Sequence, residues 1–304
     1  MRRIAYLTLY WHPQSPEEGL QIRQRVEEWL RRHKLKARGF PEDRDFCRLV
    51  PLDASSKKFD VLLQELEEWT EIDDVNLKIW HTFNERELSS APLLLWGPTN
   101  QAIEDDWYDL EEDGYQGGPK ASHKRCPACR AELEQVRDLL VDVRKMGKRD
   151  LSLTYSFEII LSSRLARMVQ EAGFSGIALR PVWHYRRPHQ GEPPLYQLVV
   201  TNILPPMASP PTEFEHEQRC EVCGTETKFI KHTHWWGRIK YYEETDIYYS
   251  KSVLEGVTDF NVTWEKIGDL PSWSRLVIIT QRVYRWLREW GVRGWSVKPV
   301  YLVD

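Results

Sequence analysis

Residues 277–301 read VIITQRVYRWLREWGVRGWSVKPVY, and residues 159–183 read IILSSRLARMVQEAGFSGIALRPVW. The two segments align without a gap. Each begins with a short β-branched run, continues with apolar residues at helical spacing, and ends in a second apolar run behind two glycines. The identical pairs are Ile160/Ile278, Arg164/Arg282, Arg167/Arg285, Glu171/Glu289, Gly173/Gly291, Gly176/Gly294, Pro181/Pro299 and Val182/Val300. This internal repeat predicts two strand–helix–strand units that pack side by side.

The ends of the repeated helices carry their own signals. Ser162 and Thr280 stand where a side-chain oxygen can accept hydrogen bonds from the free amides of the first turn. Gly173 and Gly291 stand where a helix ends in the left-handed conformation. We therefore expect both helices to begin and end at equivalent positions.

The first ~115 residues have a different pattern, typical of an α/β arrangement. Strands are predicted at 4–11, 75–80 and 92–96, and amphipathic helices at 16–33 and 59–69. An acidic segment followed by glycines separates this part from the rest. We predict an N-terminal α/β domain at 1–119, without an assigned role, and a second domain at 120–304. The fold class is α+β.

Composition restricts the partners of the 304-residue chain. The formal net charge is −4, which argues against broad nonspecific binding to nucleic acid because that binding needs a basic face. Apolar runs fall far short of the ~20 residues that a bilayer crossing requires, so no membrane partner is expected. We expect a cytoplasmic protein, where paired CxxC motifs bind metal more often than they form disulfides.

Two cysteine motifs, CPAC at 126–129 and CEVCG at 220–224, have the spacing of zinc knuckles. Two cysteines three residues apart on a tight turn can present both sulfurs to one ion, and two such turns complete a tetrahedral shell. Because all ligands are thiolates, no position remains for water, and the predicted role is structural. The predicted ligands of a single zinc ion are Cys126, Cys129, Cys220 and Cys223.

Other interpretations of the cysteines remain open at this point. A redox dithiol usually opens a helix, and a helix is predicted at 131–146, directly after the first motif. His123, His232 and His234 are close enough in sequence to replace one thiolate ligand. Cys47 is left over and is predicted to be a lone buried thiol.

A run of carboxylates at 104–113 is the candidate partner surface. Charge runs are usually solvated loops, which is the simpler interpretation. The functional one is a docking surface that attracts a basic protein and anchors it through aromatic rings. Its residues are Glu104, Asp105, Asp106, Trp107, Tyr108, Asp109, Glu111, Glu112 and Asp113.

The tract HTHWWGRIKYY at 232–242 mixes aromatic and basic residues. Such a tract could stack the bases of single-stranded nucleic acid. More often it is a core strand with alternating faces, which is the interpretation we favour here. The sequence contains no phosphate-cradling glycine loop, GxSxG elbow or HExxH motif, so we do not expect an enzyme.

The two CxxC motifs, their spacing and the repeated capped helix with its Gly–x–x–Gly ending resemble the bacterial double-CXXCG motif family. The resemblance covers roughly residues 122–304, although the first motif here is followed by Arg130 instead of glycine. Members of that family include immunity proteins against myxobacterial swarming-inhibition toxins. The resemblance implies a cytoplasmic protein that binds and neutralises a specific toxin. Together with the closed zinc site and the absence of catalytic motifs, it predicts a non-enzymatic, zinc-stabilised binding protein, and the acidic run at 104–113 would suit a basic toxin as partner. The alternative is a zinc-containing nucleic-acid-binding protein.

Overall fold

A computed structural model describes residues 1–37, 46–99, 102–103, 122–154, 156–185, 190–270 and 273–304. The chain divides into two compact units. The first consists of Met1–Glu87 and Lys231–Thr245, and the second of Leu88–Ile230 and Asp246–Asp304. The predicted boundary at 119/120 lies outside the described residues and stays a prediction.

Helices and strands alternate irregularly along the described residues, as expected for an α+β fold, and this prediction is confirmed. The helices are α1 (Pro16–Arg32), α2 (Lys57–Glu68), α3 (Glu85–Ser90), α4 (Ser163–Glu171) and α5 (Gln281–Glu289), with 3-10 turns at Val143–Met146 and Lys251–Glu255. The strands are β1 (Arg2–Tyr10), β2 (Phe46–Arg48), β3 (Leu52–Asp53), β4 (Asp74–Thr82), β5 (Leu93–Pro98), β6 (Ala102–Ile103), β7 (His123–Arg125), β8 (Glu132–Gln135), β9 (Leu139–Val141), β10 (Leu151–Thr154), β11 (Ile159–Ser162), β12 (Ile177–His184), β13 (Leu195–Val200), β14 (Phe214–Arg219), β15 (Glu226–Ile230), β16 (Thr233–Trp236), β17 (Ile239–Glu243), β18 (Tyr248–Ser250), β19 (Phe260–Val262), β20 (Ile267–Gly268), β21 (Trp273–Ser274), β22 (Val277–Thr280) and β23 (Trp295–Val303). None of these helices combines the length and hydrophobicity of a membrane crossing.

One mixed sheet organises the first unit, in the order β16-β17-β4-β1-β2, with β3 also pairing with β1. Buried residues of the central strands, such as Leu7 and Leu77, belong to the same core cluster as Val26 of α1 and Leu62 of α2. The Ser15 hydroxyl begins α1 by accepting a hydrogen bond from the N–H of Glu18. The hairpin β16–β17, distant in sequence, completes the sheet because β17 pairs in parallel with β4.

The second unit contains two larger sheets, β6-β10-β11-β13-β12-β9 and β18-β23-β5-β22-β19. Each copy of the repeat supplies two strands to one of them, and a third strand separates those two. Strand β13 lies between β11 and β12, and β5 lies between β22 and β23. Residues of α4 and α5 meet in one core cluster, which contains Leu165, Val169, Val283 and Leu287.

The helix ends of the repeat agree with prediction at three of four positions. Gly173 and Gly291 have φ of 60° and 61°, in the left-handed region. The Ser162 hydroxyl accepts from the N–H of Leu165 and caps α4. Thr280 makes no such bond to α5, so that prediction is wrong. Its hydroxyl instead lies 3.4 Å from a carboxylate oxygen of Asp259.

One carboxylate contacts the start of each repeated helix. The two residues that supply these carboxylates, Asp150 and Asp259, lie outside the aligned segments. Asp150 accepts from the Ser162 hydroxyl at 2.9 Å and from Nε of Arg164 at 3.1 Å. Asp259 accepts from Nη1 of Arg282 at 2.7 Å. The repeated arginines therefore hold equivalent ion pairs in the two copies.

The predicted helix at 131–146 is wrong. Residues 132–135 form β8, which pairs with β7, and β9 follows at 139–141. The chain reverses at Arg130, whose φ of 61° is incompatible with a right-handed helix, so the residues after it run back along β7. Leu133 and Val136, whose apolar side chains would lie on the buried face of such a helix, are 49% and 44% exposed.

Candidate metal centre

The first cysteine turn connects β7 to β8. Cys126 directly follows β7, and its N–H donates to the carbonyl of Ala131 at 3.0 Å. The N–H of Arg130 donates back to the carbonyl of Cys126 at 2.8 Å. These two bonds close a turn that holds Cys126 and Cys129 on the same side of the chain.

The second turn connects β14 to β15 and has the same backbone bonds. The N–H of Cys220 donates to the carbonyl of Thr225 at 2.9 Å, and the N–H of Gly224 donates to the carbonyl of Cys220 at 2.8 Å. Gly224 has a φ of 70°, which glycine adopts without a side-chain penalty. The local structure predicted from the CEVCG motif is thus present.

The two turns face each other and bring the four sulfur atoms together. The sulfurs of Cys126 and Cys220 are 3.8 Å apart, and those of Cys129 and Cys223 are 3.7 Å apart. All four lie within 4.8 Å of one another. Zn–S bonds of about 2.3 Å at tetrahedral angles place sulfur atoms about 3.8 Å apart, so the cluster could hold one metal ion such as zinc.

Burial and hydrogen bonding at the cluster favour thiolates at some positions and oppose them at others. The hydroxyl and N–H of Thr225 lower the pKa of Cys223 to about 6. The N–H groups of Cys223 and Val222 lower the pKa of Cys220. Burial, followed by the neighbouring thiols, raises the pKa of Cys129 to about 12. Four thiolates together repel one another, and a divalent cation is the group that would offset that repulsion.

The alternative ligands lie elsewhere. His123 is grouped with Glu132 and Glu158. His232 and His234 lie in β16 and the residues before it, where their rings contact Tyr242 and Tyr241 in the first unit. Cys47 is fully buried in the core of the first unit, and burial raises the pKa of its thiol to about 12.

The redox interpretation loses the feature that favoured it. It depended on a helix after Cys129, and a β-hairpin stands there instead. The acidic candidate surface at 104–113 lies outside the described residues, and its role stays a prediction.

The aromatic-basic tract forms a hairpin with one exposed side. Pairing places Trp235 opposite Lys240, and Tyr242 beside Lys78 of β4. Because side chains alternate along a strand, these residues share one side of the sheet with others from β1 and β4. We call this the exposed sheet face; it consists of Tyr6, Lys78, Trp80, Trp235, Lys240 and Tyr242.

The sequence interpretation missed half of that face. Tyr6 and Trp80 are 45% and 41% exposed, and Trp235 is 64% exposed. The alternation of buried and exposed residues in β4 was the available signal for Lys78 and Trp80, since the buried residues Leu77 and Ile79 alternate with them. Arg238 does not contribute to the face, because its guanidinium donates to backbone carbonyls at the end of α2, including that of Leu66 at 3.1 Å.

Comparisons with protein families, with curated proteins and with solved structures found no match to this chain. The resemblance to the double-CXXCG motif family stays a prediction, and the four-cysteine cluster is the part of it that the structure contains.

Proposed function

We propose that this chain is a non-enzymatic binding protein whose second unit is held together by one structural zinc ion. The observation that carries the proposal is the spacing of the four sulfur atoms, which matches a tetrahedral zinc shell. Zinc fits an all-thiolate shell better than the harder divalent ions do. With four protein ligands, such an ion stabilises structure and leaves no position for a substrate.

The position of the cluster supports a stabilising role. It joins two turns whose paired cysteines are 94 residues apart in sequence. The sheets on each side of the turns are short: β7–β8 is a two-stranded hairpin, and β14–β15 pairs with the two-residue strand β20. Short sheets of this kind have little stability alone, so a metal ion that cross-links them would stabilise both.

Metal content and thermal unfolding test this part of the proposal. We expect one zinc per chain in the wild type, and loss of zinc together with a lower Tm in Cys220→Ser. Cys47→Ala is the matched control, because it also removes a buried thiol but should keep the zinc. A wild type that contains no zinc and has readily oxidised thiols would refute the structural zinc ion and favour redox chemistry at the cysteines.

For the partner we propose a protein, and specifically a bacterial toxin that the chain neutralises. The support is the resemblance to the double-CXXCG motif family, some members of which are immunity proteins, together with the acidic segment at 104–113 as a surface for a basic partner. Co-expression with toxin-like proteins encoded beside the gene tests it. Protection of cells and a co-purifying complex are expected, and failure to bind or protect against any of them would contradict the immunity role.

The exposed sheet face supports a second candidate, the binding of single-stranded nucleic acid. Its rings of Tyr6, Trp80, Trp235 and Tyr242 offer surfaces on which bases can stack, and Lys78 and Lys240 can contact phosphates. The rings of Trp80 and Tyr242 have centroids 5.8 Å apart, and Nζ of Lys240 lies 5.9 Å from the Trp235 ring centroid. The net charge of −4 predicts weak binding that salt suppresses.

Fluorescence anisotropy with labelled single strands separates the two candidates. If the face binds nucleic acid, Trp235→Ala should weaken binding by about 1–3 kcal/mol, the usual contribution of one stacked base. The control is Trp290→Ala, which removes a tryptophan of the second unit that is 56% exposed, close to the 64% of Trp235. Absence of binding at low salt, or equal losses in both variants, would leave the protein partner as the only candidate.

A further inference from the structure

A second group of ligand-type side chains lies in the second unit, separate from the cysteines. His123 is in β7, Glu132 is in β8, and Glu158 directly precedes β11. One ligand atom from each lies within 4.8 Å of the other two. Three segments of the chain thus bring one imidazole and two carboxylates together in a largely buried place, where the side chains are 9%, 23% and 23% exposed.

Neighbouring side chains orient both carboxylates toward the imidazole. Oε1 of Glu132 accepts from Arg125 at 2.9 Å, and its Oε2 lies 3.9 Å from Nδ1 of His123. Oε2 of Glu158 accepts from the Gln197 amide at 2.5 Å, and its Oε1 lies 3.4 Å from Nε2 of His123. Such outer partners hold the ligands of metal sites in place.

The imidazole has an orienting contact too. Nδ1 of His123 lies 3.0 Å from the Ser122 hydroxyl. Gln197, which donates to Glu158, is itself held in place because its side-chain amide oxygen accepts from the side-chain amide of Gln135 at 2.9 Å. An ion bound at Nε2 would leave the Nδ1–H to donate to Ser122, which is the usual arrangement of a metal-binding histidine. Ligand atoms around a transition ion lie about 3 Å apart at bond lengths near 2.1 Å. The three ligand atoms, which lie within 4.8 Å of one another, would therefore have to move closer together on binding.

All three residues line one cavity of about 470 Å³. That volume lies within the range of small-molecule sites, about 300–1,000 Å³. Because three protein ligands do not complete the coordination of a transition ion, the remaining positions would face this cavity. The arrangement differs from the four-cysteine cluster, where the protein supplies every ligand.

We propose that His123, Glu132 and Glu158 bind a divalent first-row transition ion whose remaining coordination positions open into the cavity. Imidazole and carboxylate are ligands that suit Mn²⁺, Fe²⁺ and Zn²⁺, whereas thiolates favour softer ions. Mn²⁺ is therefore a probe that should distinguish this site from the cysteine cluster. The proposal does not depend on the protein or nucleic-acid partner of the chain.

Titration with Mn²⁺ of protein that carries one equivalent of zinc, enough to fill the four-cysteine cluster alone, tests the proposal through the EPR signal of the free ion. We expect one Mn²⁺ per chain in the wild type, and affinity reduced by about tenfold or more in Glu158→Gln and in Glu132→Gln. Glu134→Gln is the matched control, since Glu134 also lies in β8 but pairs with the exposed Lys124. It should bind Mn²⁺ as the wild type does.

Circular dichroism and the zinc content of the variants separate metal loss from unfolding. Both measurements should be unchanged in the two glutamine variants, because each replacement keeps the size of the side chain. If either variant unfolds, the other one and His123→Gln carry the test. A wild type that binds no Mn²⁺, or folded variants that bind it equally well, would overturn the proposal.

Discussion

Arg130 and Gly224 occupy the same place in the two cysteine turns. Each directly follows the second cysteine of its motif, and their φ angles are 61° and 70°. Each donates its N–H to the carbonyl of the first cysteine at 2.8 Å. The turn thus keeps its backbone conformation where the motif has arginine, although glycine adopts that conformation more readily.

Substitutions at these two positions should have different effects. Gly224→Ala places a side chain in the left-handed region and should destabilise the protein by about 1 kcal/mol. Arg130→Gly removes the same strain but gives the unfolded chain more freedom, so the free energy of unfolding should change by less than about 1 kcal/mol. Urea unfolding and zinc content are the measurements.

We expect both variants to retain zinc. If Arg130→Gly lost the metal, the arginine side chain would be holding the turn, and the equivalence of the two backbones would not be sufficient for binding.

The cysteines should behave as one unit in stability measurements. Cys126→Ser and Cys220→Ser each remove a ligand of the same proposed ion, so the double variant should be little less stable than either single one. Independent sites would add within about 0.3–0.5 kcal/mol. Additive losses in a double-mutant cycle would show that no shared ion connects the two turns.

The carboxylates beside the repeated helices should contribute to stability. Asp259 accepts from the N–H and the hydroxyl of Ser175, each at 2.9 Å, as well as from Arg282. Asp259→Ala leaves a backbone N–H without its acceptor and should cost about 1–3 kcal/mol in chemical unfolding. Asp304→Ala, at 90% side-chain exposure, is the control and should stay within about 0.5 kcal/mol of wild type.

The equivalent residue in the first copy provides a comparison. Asp150→Ala breaks the ion pair with Arg164 and the hydrogen bond from the Ser162 hydroxyl, neither of which involves a backbone N–H as the Ser175 bond to Asp259 does, so it should cost less than Asp259→Ala. A larger loss at Asp150 would contradict this ranking of the two carboxylates.

Glu243 should make the first unit sensitive to acid. Burial opposes its charge, but hydrogen bonds from His81 and Arg3 outweigh burial and lower its pKa to about 2. Because an unfolded glutamate has a pKa near 4.3, this stabilisation is complete above about pH 4.5 and is lost as the pH falls toward 2. Its size at neutral pH should be roughly 2–3 kcal/mol.

Urea unfolding of the wild type and Glu243→Gln between pH 7 and pH 2.5 checks this. The variant should be less stable at pH 7, and the difference should shrink as the pH falls. A difference that stays constant with pH would show that the loss comes from packing and not from the charge of Glu243.

Local patterns in the sequence predicted the elements that depend on neighbouring residues. The cysteine spacing identified the four thiols, and the periodicity of 16–33 and 59–69 identified α1 and α2 to within two residues at each end. The same approach failed at 131–146, because a few apolar residues at helical spacing could not reveal the chain reversal at Arg130. Apolar periodicity therefore predicts the secondary structure of a segment only where no preceding turn reverses the chain.

Long-range pairing could not be predicted from the sequence. Tyr242 and Lys78 lie side by side in β17 and β4 although they are far apart in the chain. The ion pairs of Asp150 and Asp259 with the repeated arginines could not be predicted from the alignment, because the two aspartates lie outside it and at different distances from their helices. His123, Glu132 and Glu158 likewise have no motif spacing, and only the fold brings them together.

The 94 residues between paired cysteines also determine when the metal cluster can be completed. During synthesis, the first turn leaves the ribosome with two thiols, and its partners follow roughly 5–20 s later at about 5–20 residues per second. The first copy of the repeat, β11 to β12, lies wholly within that interval and is available to pack before the second turn arrives. The metal ion could then complete its shell only after the first copy of the repeat has been synthesised.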